Sequence, residues 1–252
     1  MPHYDFRATR LFVDAPLAAD GEISLDRDQA NYLFNVLRLE RGDAVLVFNG
    51  RDGEWRASLE SVGKRTASIT VSARTRAQTA RGDLHFLFAP LKHARLDYLV
   101  QKSVEMGVSR LQPVITRHTQ VTRVNLARMR ANVIEAAQQC GVLAIPDVTE
   151  PKPFEKILAD TDRVLVFCDE DAEVKDPLAA LAAARPAPGR PLAVLIGPEG
   201  GFAEDERAAL LKRPNVVQIA LGPRILRADT AAVAALALIQ AVLGDWHLPA
   251  QG

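Results

Sequence analysis

Residues 192–230 read LAVLIGPEGGFAEDERAALLKRPNVVQIALGPRILRADT. Two apolar runs, 192–196 and 216–221, have the length and β-branched content of strands buried on both faces. Each ends on Gly-Pro, at Gly197-Pro198 and Gly222-Pro223. Between them the spacing predicts a helix over 203–212. Glu204, Asp205 and Glu206 fall in its first turn, where carboxylates suit the helix dipole. A second helix opens near Asp229, where Asp229 or Thr230 is a candidate N-cap. The order is strand, glycine turn, helix, twice over. It places two glycine-bearing loops at the carboxyl ends of parallel strands, where open α/β sheets bind ligands.

The same alternation runs back to residue 84. Strands are predicted at 84–91, 111–115 and 163–168, with a short extended piece at 146–148. Helices are predicted at 95–106, 126–140, 154–158 and 178–184, and 231–243 closes the chain. This pattern predicts an α/β domain with a mostly parallel sheet and helices on both faces. Residues 1–73 read differently. Short strands at 10–13, 23–25, 44–48, 54–60 and 67–71 surround a helical interlude at 26–37. Turn signals fall at Arg41-Gly42-Asp43, Asn49-Gly50 and Asp52-Gly53. A small β-barrel is expected there. The polar stretch RTRAQTARGD at 74–83 separates the two as a linker. The expected domains are therefore 1–73 and 84–252.

The chain has 252 residues and a formal net charge of zero, so bulk charge does not mark a nucleic-acid binder. Its distribution is more informative: residues 83–145 carry 8 basic and 4 acidic side chains, residues 146–252 carry 11 and 16. The basic middle third is a candidate binding face. Cys140 and Cys168 form no CxxC, and no His cluster accompanies them, so neither a metal site nor a disulfide framework is expected. The N-terminus lacks an apolar signal core. The longest apolar stretch, 231–243, is interrupted by Gln240 and reads as a buried helix rather than a membrane span. A cytoplasmic protein without a membrane partner is expected.

LIGPEGGF followed by LGPRILRADTAAVAAL resembles the paired signature of the SPOUT methyltransferases. Within them it resembles the family, often called RsmE, that methylates N3 of a uridine in 16S ribosomal RNA. The resemblance also takes in RLFVD near the start, QKSVEMGV at 101–108 and QQCG at 138–141. It implies a PUA-like RNA-binding barrel before a SPOUT domain whose C-terminal segment forms a trefoil knot. It implies S-adenosylmethionine as cofactor, 16S rRNA or the small ribosomal subunit as partner, and a homodimer built on the 231–243 helix. Two departures stand out: Asp229 occupies a position that is usually Glu, and Val142-Leu143-Ala144 replaces a polar, Arg-containing segment.

Gly197, Gly200 and Gly201 allow a sharp turn, and that turn also exposes backbone groups to a ligand. No Gly-Lys-Ser/Thr and no GxGxxG opening a helix is present, so a cofactor bound without a phosphate loop fits best. Carried over from the family, the cofactor loops are the end of the 164–168 strand, 196–201 and 221–226. The expected cofactor residues are Phe167, Ile196, Gly197, Glu199, Gly200, Gly201, Leu221, Gly222, Ile225 and Leu226. Leu221, Ile225 and Leu226 would wall the adenine. Uridine N3 is a poor nucleophile until it loses its proton, and the resulting charge spreads onto flanking carbonyl oxygens. A guanidinium aimed at one oxygen stabilises that charge and lowers the proton affinity of N3. Arg227 is assigned this task. Asp229 is assigned to orient the arginine or accept the proton, or to cap the helix, and Arg224 to grip phosphate or base.

Residues 110–130 hold Arg110, Arg117, His118, Arg123, Arg128 and Arg130, with no acid between Glu105 and Glu135. Arg117 and Arg123 are candidate RNA contacts, against the alternative of a solvated loop and helix face. Arg7 and Arg10 are placed near RNA by the family likeness of the opening segment. Two rival functions remain at this level: another SPOUT methylation such as ribose 2′-O, and a non-catalytic RNA-binding factor on the same fold.

Overall fold

The computed structural model describes residues 8–62, 67–159, 162–173, 176–184 and 191–246. The described chain divides into two compact units, one drawn from the residues up to Ala80 with Ala137–Ile145, the other from Arg81–Ala136 and from Pro146 onward.

In the first unit, β1 (Arg10–Phe12), β2 (Glu22–Leu25), β3 (Ala44–Phe48), β4 (Glu54–Val62) and β5 (Ala67–Arg76) form one sheet in the order β1-β3-β4-β5-β2. All pairs are antiparallel except β1 with β3. The path is a curled half-barrel with β1 and β2 as edges. Alternate residues of the long strands face inward: Ala57 and Leu59 of β4 and Ile69 and Val71 of β5 meet Val45 and Val47 of β3 in one core. The helical interlude supplies Leu33 to that core. It begins as α1 (Arg27–Asn31), capped by Asp26, whose carboxylate accepts from the Gln29 amide while the Gln29 side chain accepts from the Asp26 amide. It continues as a π-helical segment, Tyr32–Val36.

Two expectations are corrected here. Strand β5 reaches Arg76, three residues into the stretch read as linker. The reason is Glu54, which is 2% exposed and accepts from Thr75 Oγ1 at 2.9 Å and from Arg76 Nη2 at 2.7 Å. Arg10, expected near RNA, is buried by the same carboxylate: its Nε donates to Glu54 Oε2 at 2.9 Å and its side chain is 2% exposed. It has no surface to offer a phosphate. Arg7 lies outside the described residues. Val142-Leu143-Ala144 also belongs to this unit; Leu143 is buried, and its carbonyl accepts from Gln78 Nε2. The apolar departure thus fills a packed position.

The β3–β4 corner depends on Gly53. Its φ is +86°, and a Cβ there would sit 2.3 Å from the Arg76 carbonyl oxygen. Both the dihedral and the contact are with backbone, which a rotamer change cannot relieve. Gly53→Ala is expected to lower stability by about 2 kcal/mol or more in urea unfolding. A loss below about 0.5 kcal/mol would show that the corner yields.

The second unit alternates strand and helix: β6 (Leu84–Phe88), α2 (His93–Glu105), β7 (Arg110–Ile115), α3 (Leu126–Cys140), β8 (Asp147–Val148), β9 (Lys152–Pro153), α4 (Phe154–Leu158), β10 (Val164–Cys168), α5 (Pro177–Ala183), β11 (Leu192–Ile196), α6 (Glu204–Leu211), β12 (Val216–Ile219) and α7 (Ala228–Val242). The strands run β12-β10-β11-β6-β7-β8, with β9 beside β7, and every pair is parallel. All five residues of β11 are buried, which explains why the sequence shows an unbroken apolar run instead of alternation. On one face Phe167, Leu195 and Val114 pack with Phe154 and Ile157 of α4 and Leu210 of α6. Helix α7 packs on α2, α5 and β11. Ala232, Ala235 and Leu236 are buried there.

Candidate active site

Strand β10 lies between β12 and β11. Its Phe167 pairs with Leu195 of β11 and Gln218 of β12, so the three carboxyl ends finish level with one another. The loops leaving them enclose a cleft of about 630 Å³. That is the size of small-molecule sites, which run to roughly 300–1,000 Å³. Cys168 and Asp169 come from the first loop, Ile196, Gly197, Pro198, Glu199 and Gly201 from the second, and Leu221 through Arg227 from the third. The two Gly-Pro corners therefore share one cleft. Gly197 has no room for a side chain, because a Cβ would lie 2.6 Å from the ring of Phe202. Gly200 turns away from the cleft, its Cβ direction 3.5 Å from the side chain of His118.

Phe167 is corrected. It is fully buried and packs edge-on against Phe202, with ring centroids 5.2 Å apart. It supports the cleft from the core, while the next two residues line it. Asp169 is the polar group sequence reading missed. Its side chain is 5% exposed, and it accepts from Arg207 Nε at 2.7 Å and Gln218 Nε2 at 2.6 Å. An acid directly after a buried parallel strand was the available signal. The Cys168 thiol beside it is pushed up by burial, and further by Asp169, so it stays protonated and is no nucleophile.

A second group missed is Arg95, on α2. Its Nε and Nη2 donate to the two oxygens of Asp229 at 3.0 and 3.2 Å, and its Nη1 donates to Glu199 Oε1 at 2.8 Å. The Asp229 carboxylate also accepts from the Thr230 amide. The Arg95 hydrogen bond is the main cause that holds Asp229 below the usual carboxylate range, against the opposing effect of burial. Asp229 sits in the first turn of α7 rather than at its cap; Arg227 holds the N-cap position and makes no side-chain capping bond. No local motif announces Arg95, whose partners are 104 and 134 residues away.

Arg224 and Arg227 both line the cleft and are exposed. Among the described residues, no hydrogen bond or ion pair engages either side chain, whereas Arg95, Arg117 and Arg207 are each held by carboxylates. Ile225 between them is 88% exposed, an apolar side chain with no protein cover.

The β7–α3 loop touches the same machinery. The Arg117 guanidinium makes two bonds to Asp205, at 2.8 and 2.6 Å. Its amide donates to the buried carboxylate of Glu206, which also accepts from Ala203 at the start of α6. His118 Nδ1 lies 3.1 Å from the Gly200 carbonyl oxygen. Arg123 is exposed on this loop and has no partner among the described residues.

A family model described as an RNA methyltransferase domain matches residues 78–240, and one described as an RNA methyltransferase PUA domain matches residues 25–72. The chain is 28% identical over 232 residues to the ribosomal RNA small subunit methyltransferase E of Rickettsia conorii, covering 92% of this chain and 94% of that protein. Among solved structures it resembles the enzyme of the same name from Neisseria gonorrhoeae, bound to S-adenosyl methionine, with a TM-score of 0.84, 25% identity and coverage of 95% and 100%. A structure from Legionella pneumophila in complex with the same cofactor matches with a TM-score of 0.83, 26% identity and coverage of 95% and 99%.

Proposed function

Because the chain belongs to the RNA methyltransferase family, and to its ribosomal RNA small subunit methyltransferase E branch, we propose that it methylates N3 of a uridine in 16S ribosomal RNA, using S-adenosylmethionine. The observation that carries this reading is the shared cleft at three parallel strand ends, with two unengaged arginines, Arg224 and Arg227, at its rim. The residues fit the cofactor. Leu221, Ile225 and Leu226 offer apolar surface for an adenine, and the backbone at both glycine corners offers hydrogen bonds to its edge. Glu199 is matched by Arg95 and Asp169 by Arg207, and the further carboxylates of Glu170 and Asp171 on the cleft wall favour a cation there. When bound, the cofactor supplies an electrophilic methyl group that needs no metal.

The remaining chemistry belongs to this chain. Arg227 is free to approach a uracil carbonyl oxygen, stabilising the anion and easing loss of the N3 proton. Arg224 grips phosphate or base. Asp229, ionised and held below its ordinary range by Arg95, is a weak proton acceptor; its carboxylate is taken up by Arg95, so it anchors the first turn of α7 next to Arg227, and the N3 proton passes to water. The test is methylation of small ribosomal subunits lacking the modification, followed by mass mapping of the nucleosides. A methyl group on ribose, or none at all, sinks the reading.

The basic loop is proposed as the RNA contact. Arg123 is available as it stands, and Arg117 reaches a phosphate by exchanging Asp205 for it. Replacing both with alanine is expected to reduce the slope of log affinity against log salt by about 1 to 2 and to weaken RNA binding at low salt. An unchanged slope in filter-binding titrations would remove these residues from the interface.

A second copy of the chain is proposed against α7, whose Val233, Ala237 and Leu238 are only half buried on a helix of apolar character. Light scattering at micromolar concentration checks the dimer. The trefoil knot implied by the resemblance is supported by the strand order, in which β10 lies between β11 and β12 while α7 returns to α2. Among the described residues no helix is long and apolar enough to cross a membrane. A cytoplasmic location, with the ribosome, is part of the same proposal.

A further inference from the structure

We propose that Arg95 is a positioning residue of this enzyme, a crosspiece that ties the cofactor loop after β11 to the first turn of α7 through Glu199 and Asp229. This rests on the reading of the cleft as the S-adenosylmethionine site. The three bonds come from one planar guanidinium whose fork reaches both carboxylates at once. Glu199 follows the first glycine corner by two residues. Asp229 follows Arg227 by two residues and the second glycine corner by seven. The two corners that wall the cofactor are not joined to each other in sequence, and Arg95 reaches them from a third element, α2. It therefore fixes the width of the cleft and the position of the α7 N-terminus, from which Arg227 projects. Its own side chain is half-buried and takes no part in lining the cleft.

The placement separates Arg95 from an ordinary surface pair. An exposed ion pair holds two side chains and contributes little. Here one cation restrains two loops that leave different strands, so its loss should be read in ligand binding more than in folding. An ammonium in its place is a point charge and can hold one carboxylate closely, not two in fixed orientation.

The experiment compares wild type, Arg95→Ala and Arg95→Lys by calorimetric titration with S-adenosylmethionine and by methylation kinetics on small subunits at saturating cofactor. Arg95→Ala is expected to raise the cofactor Kd by about tenfold and to lower kcat, with the KM for RNA little changed. Arg95→Lys is expected to fall between the two. Glu199→Gln should weaken cofactor binding by a smaller factor in the Arg95→Ala background than in wild type, because the share that acts through the guanidinium is already lost. Lost protein stability alone would reduce the active fraction without changing the Kd of the remainder. A cofactor Kd for Arg95→Ala within about twofold of wild type overturns the proposal, as does an Arg95→Lys enzyme indistinguishable from wild type. If Arg95→Ala does not fold, Arg95→Lys and the single variant Glu199→Gln decide, and a cofactor Kd within about twofold of wild type in either overturns the proposal. Absence of cofactor binding by wild type itself would instead overturn the reading of the cleft.

Discussion

Arg227→Ala is expected to lower kcat by about 10²–10³-fold while cofactor affinity stays within about threefold of wild type. The separation follows from what surrounds the side chain. Arg227 occupies the N-cap position of α7 with extended backbone, φ −66° and ψ 150°, and no side-chain cap bond. Its guanidinium lines the cleft and is engaged by nothing among the described residues, so no fold contact is lost on truncation. What is lost is charge directed at the uracil oxygen, where negative charge develops only as the N3 proton leaves. An interaction made in the transition state and not in the ground state appears in kcat. Arg95→Ala should show the opposite weighting, acting first on cofactor binding. Arg227→Lys keeps the charge but not the planar fork and should recover part of the rate. Single-turnover methylation at saturating cofactor makes the measurement. A rate within tenfold of wild type for Arg227→Ala would remove it from the chemistry.

The parts of this molecule that could be read from sequence are those whose determinants are local. The Gly-Pro corners at 197–198 and 222–223 end two apolar runs; β11 stops directly before the first, and β12 ends at Ile219, two residues short of the second. Helix α3 spans Leu126–Cys140 and α4 Phe154–Leu158, as the apolar spacing predicted. What was not legible depends on distant partners. Arg10 was expected near RNA, and its burial could not be read locally because Glu54, the carboxylate that holds it, lies 44 residues on. Arg95 looked like an ordinary helix residue because its carboxylates arrive from two later loops. Phe167 was placed in the cleft by its position at a strand end, but successive strand residues face opposite sides of the sheet. A shift of one residue sends Phe167 to the Phe202 core and leaves Cys168 and Asp169 at the cleft. The cap at Asp229 failed for a related reason: the helix begins two residues earlier than such a cap requires, with Arg227 at the N-cap, and the carboxylate is taken by Arg95.

Glu54→Gln is expected to cost roughly 3–5 kcal/mol of unfolding free energy, the largest stability effect in the first unit. Glu54 accepts from Arg10, Thr75 and both Nε and Nη2 of Arg76. The Arg10 side chain is 2% exposed, so neutralising Glu54 strands a guanidinium where water cannot replace the lost charge. A glutamine also turns an NH₂ donor toward groups that are already donors. The pH dependence has a definite sign. Burial raises the Glu54 pKa, but Arg76, Thr75 and Arg10 together bring it below the ordinary value of 4.5. A group depressed in the folded state contributes stability that is fully present above its unfolded pKa and is lost as the pH falls through the folded one. Wild type should therefore lose stability on acidification below about pH 4.5. The gap between wild type and Glu54→Gln should narrow over the same range, because protonation brings the wild-type side chain toward the charge state of the variant. Urea titrations at neutral and acidic pH measure both. A difference below about 1 kcal/mol at neutral pH, or one that stays constant on acidification, would mean that Glu54 does not hold the sheet through its charge.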